Sequence, residues 1–173
     1  MNNNWTIHLK GLVAAAAATI SFSMTATAEQ LPMPTGEVIL TVSGAIGKTN
    51  TQAGVEFDLD LLRALEWEEI NTFTSFTEGM QTFKGPRLSS LLDFVAASGT
   101  IIGAYAINDY FVDIPVAHAE NQEVILAIFH NGKEMTVRDK GPIWVIYPQS
   151  EDEAKLKKFD NEMIWQLVSM EIR

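Results

Sequence analysis

The spacing of apolar positions changes several times along the chain, and each change predicts an element. Val38 to Val42 is a β-rich apolar run that stops at Ser43-Gly44, the pattern of a strand entering a turn. Val55-Glu56-Phe57 predicts a short strand. Asp58 then stands where an N-cap belongs, ahead of a helix over Leu59 to Leu65. Ile70 to Thr77 (INTFTSFT) sets Thr against bulky residues and predicts strand or extended chain. The clearest helix covers Arg87 to Ala97. Leu88, Leu91, Leu92 and Val95 recur at helical spacing and make one buried stripe, with Gly85-Pro86 before it and Gly99 as its stop. Short strands are predicted at Gly103 to Ile107, Tyr110 to Ile114 and Glu123 to Phe129, and Asn131-Gly132 signals a tight hairpin turn. Ile143 to Tyr147 predicts a strand closed by Pro148, and Trp165 to Ile172 (WQLVSMEI) a final one. Glu151 to Phe159 is charged and reads as solvated helix or loop. Together these give an α+β fold with β dominant, a set of mixed sheets or a barrel-like sandwich with one or two helices packed outside.

The N-terminal part follows a different rule. Met1 to Lys10 is polar with one cation, Gly11 to Ser23 is uncharged and Ala-rich, and small residues follow at Ala26 and Ala28. That three-part pattern is expected of a secretory signal peptide cleaved after Ala28, which places residues 29–173 in the periplasm as one domain. The apolar run is shorter than the ~20 residues that span a bilayer. The 173 residues carry a net charge of −10, which argues against nucleic acid or an anionic membrane as partner, because phosphate binding needs clustered Lys and Arg. There is no cysteine, so disulfides and thiolate ligands are both unavailable, and stability rests on an apolar core for which a 47% hydrophobic fraction is sufficient.

Chemistry-bearing motifs are scarce. No nucleophile elbow, P-loop or Gly-rich dinucleotide turn is present. His118 and His130 stand alone, without metal-ligand spacing, and Glu68-Glu69 and Asp152-Glu153 read as solvated faces.

Four stretches, in order, resemble the molybdopterin-binding domain of the sulfite oxidase superfamily. LPMPTGEVILTVSG (31–44) is similar to that domain's proline lead-in and first strand. INTFTSFTEG followed by FKGPRLSSLL (83–92) resembles the cysteine-bearing strand and the aromatic-x-Gly-x-x-Leu helix start. AINDYFVDIPVAHA (106–119) resembles the Asp-Gly-Tyr and Ile-Pro segment. EVILAIFHNGKEMTVRDKGPIWVIYP (123–148) resembles the Asn-Gly hairpin and Gly-x-Pro strand, after which WQLVSMEI sits at the position of a Lys-Trp-Leu strand. The resemblance implies a sulfite-oxidase molybdopterin-domain-like α+β fold. The departures are chemical. The position of the family's molybdenum-ligating cysteine falls on Thr72, and two phosphate-anchoring cations fall on Trp144 and Trp165. A threonine hydroxyl is a poor ligand for such a metal.

Exchange of cations for indoles suits a neutral, flat, hydrogen-bonding bicycle rather than a phosphate-bearing metal cofactor. Aromatic faces contribute about 0.5–1.5 kcal/mol per stacked pair beyond area burial. A carboxylate such as Asp109 can accept from a pterin's 2-amino and N3–H groups, and Arg138 or Lys140 can donate to its 4-oxo group. With Arg-Asp-Lys-Gly-Pro-Ile-Trp and Trp-Gln-Leu, the chain resembles small periplasmic pterin-binding proteins, some of which act with a membrane sensor that makes or degrades cyclic di-GMP. That resemblance implies a non-enzymatic sensor of a free pterin, for example neopterin, with no metal and no membrane insertion. It is expected to report to the periplasmic part of a diguanylate cyclase or phosphodiesterase. The expected ligand-binding residues are Trp165, Asp109, Tyr110, Arg138, Lys140, Trp144, Thr72, Thr74 and Phe76. Each has a plainer reading: Trp144 and Trp165 as core tryptophans, Asp109 as a turn residue, the 138–140 segment as a solvated loop. Two other functions stay open: a molybdopterin-dependent oxidoreductase with a non-cysteine ligand set, and a ligand-free interaction domain that kept only the scaffold.

Overall fold

A computed structural model describes residues 31–173; the predicted signal segment and its cleavage point lie outside the described residues. Strand β1 (Leu40–Gly44) alternates buried Leu40 and Val42 with outward Thr41, the period-2 pattern of a half-buried strand. It pairs antiparallel with β2 (Val55–Phe57) and parallel with β11 (Leu167–Ile172), so the two ends of the described chain meet in one sheet. Strands β5 (Ile101–Ala106) and β6 (Phe111–Pro115) extend that sheet to five strands in the order β2-β1-β11-β5-β6.

A second sheet has the order β3-β4-β8-β9, built from β3 (Trp67–Thr72), β4 (Gln81–Pro86), β8 (Phe129–His130) and β9 (Lys133–Glu134). Strands β7 (Ile125–Ala127) and β10 (Trp144–Ile146) form a fully buried pair. Gly85 lets β4 cross β7 closely: a Cβ there would stand 2.0 Å from the Leu126 carbonyl oxygen. Among the described residues no barrel closes; the barrel-like alternative is corrected to separate sheets of five, four and two strands, each with open edges.

The helices are short. Asp58 caps α1 (Leu59–Arg63) as predicted, its Oδ1 accepting from Leu61 N at 2.8 Å. Its Oδ2 accepts from Thr35 N and Gly36 N, both at 2.7 Å, which ties the proline-rich lead-in to the helix. Helix α2 (Leu88–Phe94) buries Leu88, Leu91 and Leu92 on the predicted stripe. It stops earlier than Gly99, because Ala96 turns to φ +50° while Gly47 N and Lys48 N donate to the Val95 carbonyl. Helix α3 (Ala117–Asn121) follows β6, and α4 (Glu151–Lys155) opens on a capping box between Ser150 and Glu153. Among the described residues no helix is long and apolar enough to cross a membrane.

Candidate functional site

Three segments far apart in sequence meet around one open cleft of about 400 Å³, within the range of small-molecule sites. The first is the β5–β6 turn. Ala106 N donates to Tyr110 O, Asp109 N donates back to Ala106 O, and Asp109 takes a left-handed φ of +63°, the geometry of a three-residue hairpin loop. Asn108 and Tyr110 from this turn form one wall. The second segment runs through Asp160, Asn161, Met163 and Ile164 to Trp165 and also lines the cleft. The third is the loop after β3, where Thr74 Oγ1 accepts from Phe76 N at 3.1 Å and the turn delivers the Phe76 ring to the cleft.

Gln166 ties the β5–β6 turn to the segment before β11 and to the 137–140 loop. With φ +53° it precedes β11, its N–H donates to Lys140 O, its carbonyl accepts from Ile107 N, and its Nε2 donates to Val137 O at 2.7 Å. The predicted final strand therefore starts two residues late, and Trp165 is left on the irregular segment before it, 37% exposed.

The aromatic geometry is compact. Phe76 stands edge-on to Trp165 at 5.2 Å between ring centroids. Trp144 lies behind them, 6.2 Å from Phe76 and 6.3 Å from Trp165. It is fully buried, its indole N–H donating to Met163 O at 3.0 Å, so its core-packing reading describes its position. Lys140, left-handed at φ +73° after a 3₁₀ turn (Val137–Asp139), sets its ammonium 4.5 Å from the Trp165 ring centre and 5.2 Å from that of Trp144. The same charge adds to burial, the larger cause, in holding His130 below its ordinary pKa.

Of the residues expected from sequence, Trp165, Tyr110 and Phe76 line the cleft, and Lys140 and Trp144 pack against its aromatic wall. Asp109 is an exposed turn residue beside the wall, where its neighbour Asn108 stands instead. Arg138 is exposed on the 3₁₀ turn and is not a lining residue. Thr74 faces a different depression, shared with Ser75, Thr77 and helix α4. Thr72 is completely buried. Sequence reasoning missed Asn108, Asp160 and Asn161. The last two lie just past the charged Glu151 to Phe159 stretch, in a segment to which no element or motif was assigned.

Thr72, which the resemblance sets against a molybdenum-ligating cysteine, offers no free donor for a metal. Thr72 Oγ1 accepts from Gln149 N at 2.7 Å and lies 3.2 Å from the carbonyls of Tyr147 and Gln149, so the hydroxyl is used up inside the protein. The chain has no sulfur ligand of the thiolate kind to replace it.

The elements and their order define an α+β, sulfite-oxidase-like fold. No family model and no curated protein matches the chain. Among solved structures it is similar to the sulfane dehydrogenase SoxCD from Paracoccus pantotrophus, with a TM-score of 0.58 and 16% identity over 77% of this chain. The match spans 37% of that longer chain. At that identity the likeness carries the fold alone.

Proposed function

We propose that this protein binds a free pterin in the Phe76–Tyr110–Trp165 cleft, without catalysing a reaction, as the ligand-sensing component of a periplasmic signalling system. The observation that carries the reading is the cleft itself: a half-exposed indole and a phenol face a small cavity whose other lining groups are neutral amides, one carboxylate and apolar side chains. A flat heterocycle gains stacking from such walls and orientation from their polar groups. Lys140, poised over the Trp165 ring, supplies a donor for a ring oxo group. The thiol-free composition and the closed Thr72 position favour this reading over a molybdenum oxidoreductase. Export rests on the pattern of residues 1–28. The partner, a membrane enzyme of cyclic di-GMP metabolism, rests on the family resemblance.

Titration of the purified chain with neopterin, followed by tryptophan fluorescence, tests the binding. Saturable one-to-one binding is expected, with Trp165→Ala weakening it by more than tenfold. Absence of binding across a panel of oxidised and reduced pterins, or stoichiometric molybdenum in protein from a molybdenum-replete host, overturns the proposal. Deletion of the gene is expected to change cellular cyclic di-GMP; unaltered levels with and without added pterin remove the signalling role.

A further inference from the structure

Asp160 is a wall residue of the cleft that no motif singled out. Its Oδ2 accepts a hydrogen bond from the Ser75 hydroxyl at 2.7 Å. Its Oδ1 is shut off from solvent and has no hydrogen-bond partner among the described residues. A carboxylate oxygen in that state carries its desolvation penalty uncompensated, and buried acceptors in native proteins are otherwise almost always paired. The terminal torsion of an aspartate is broad, so the carboxylate can rotate until the bare oxygen faces the cavity, and the oxygen held by Ser75 keeps a second lone pair with which to accept from a ligand. Asp109, by contrast, is exposed on the hairpin turn and does not line the cavity.

We infer that Asp160, rather than Asp109, is the carboxylate that reads the ligand, and that the cleft selects a flat heterocycle with two adjacent N–H donors on one edge. That edge is the 2-amino-4-oxo-pyrimidine unit shared by pterins and guanine. The inference rests on the heterocycle-binding reading above and gives it a specificity determinant. A ring N–H and the adjacent amino group match the two oxygens of one carboxylate in a charge-assisted, paired arrangement. Replacing the amino group by oxygen turns a donor into an acceptor and sets it against the carboxylate. Trp165, Phe76 and Tyr110 supply the aromatic surfaces without distinguishing the two rings.

The test is a calorimetric titration of the full chain with neopterin, guanosine and lumazine, the pteridine whose 2-position carries oxygen. The same panel is applied to Asp160→Asn, Asp160→Ala and Asp109→Asn. The wild type is expected to bind neopterin at least tenfold more tightly than lumazine. Asp160→Asn should lose at least tenfold for neopterin and narrow the gap to lumazine, because its amide N–H₂ can donate to the 2-oxo group. Asp109→Asn should stay within twofold of wild type. Melting temperatures near wild type confirm that the variants fold, and Asp160→Asn can keep the Ser75 bond through its amide oxygen. Guanosine binding more tightly than neopterin supports the edge assignment and moves the ligand from pterin to purine. Wild-type neopterin affinity in Asp160→Asn, alongside a loss in Trp165→Ala, overturns this inference and leaves the pterin cleft standing. Absence of binding to any of the three compounds overturns both.

Discussion

At the scale of single residues, Thr72 is placed by its contacts in the scaffold of the fold. Its hydroxyl is completely buried and accepts from the Gln149 backbone N–H, 77 positions further along the chain. Thr72→Val keeps the shape but leaves the Gln149 N–H without an acceptor, and the expected cost is about 1–3 kcal/mol. A lower urea midpoint with unchanged neopterin affinity would show that the position now serves structure; a large loss of affinity at unchanged stability would return it to the site. Tyr147 lies in the same region, its phenol pushed up from its ordinary pKa mainly by burial and close to His118 Nδ1 at 3.0 Å. Trp144 is also a structural residue by contact, yet it fixes the ring planes behind Trp165 and Phe76. Such dual service is why the sequence left two readings open for it: an indole in an apolar strand satisfies both.

At the scale of elements, local signals were legible where a few neighbouring residues decide the outcome. Asp58 caps α1, the Leu88–Leu91–Leu92 stripe is buried, and Asn131 and Gly132 both take positive φ (+48° and +76°) to close the β8–β9 hairpin. Signals failed where a distant segment ends the element. Extended chain predicted to Thr77 stops at Thr72, because Thr72 is drawn into bonds with the 147–149 segment and Thr74 bends the next turns. The α2 stop moved from Gly99 to Ala96 for a similar reason, the chain being clamped by Gly47 and Lys48. Close packing between elements yields a sharp prediction at Gly85. Gly85→Ala places a methyl 2.0 Å from the Leu126 carbonyl, and since neither β4 nor β7 can yield, destabilisation at the upper end of about 1–3 kcal/mol or beyond is expected. A melting curve indistinguishable from wild type would show that β4 and β7 are further apart than described.

At the scale of the whole molecule, Asp58 joins the lead-in at Thr35 and Gly36 to the first helix, and through it to the five-stranded sheet. Donation from Leu61 N, then from Gly36 N, holds its carboxyl below the ordinary 3.8, against the opposing effect of burial. A depressed carboxylate contributes stability that is complete above the unfolded value and is lost as pH falls through the folded one. Stability is therefore expected to drop below about pH 4, and Asp58→Asn, with no second oxygen for Thr35 and Gly36, should be less stable at neutral pH and show a shallower acid limb. An unchanged acid limb in that variant would assign the pH dependence to other carboxylates. The amino-acid sequence by itself determined the fold class, most elements, the thiol-free chemistry and the aromatic residues that line the candidate cleft, because hydrophobic period, capping residues and residue type are local properties. Only the tertiary structure decided which polar groups join the aromatic ones. Asn108 and Asp160 are separated by more than fifty positions and meet because the β5–β6 turn and the segment before β11 are pinned together at Gln166. The unpaired oxygen of Asp160 likewise exists only once the surrounding chain has closed over it, since burial and missing partners are properties of packing and not of order along the chain.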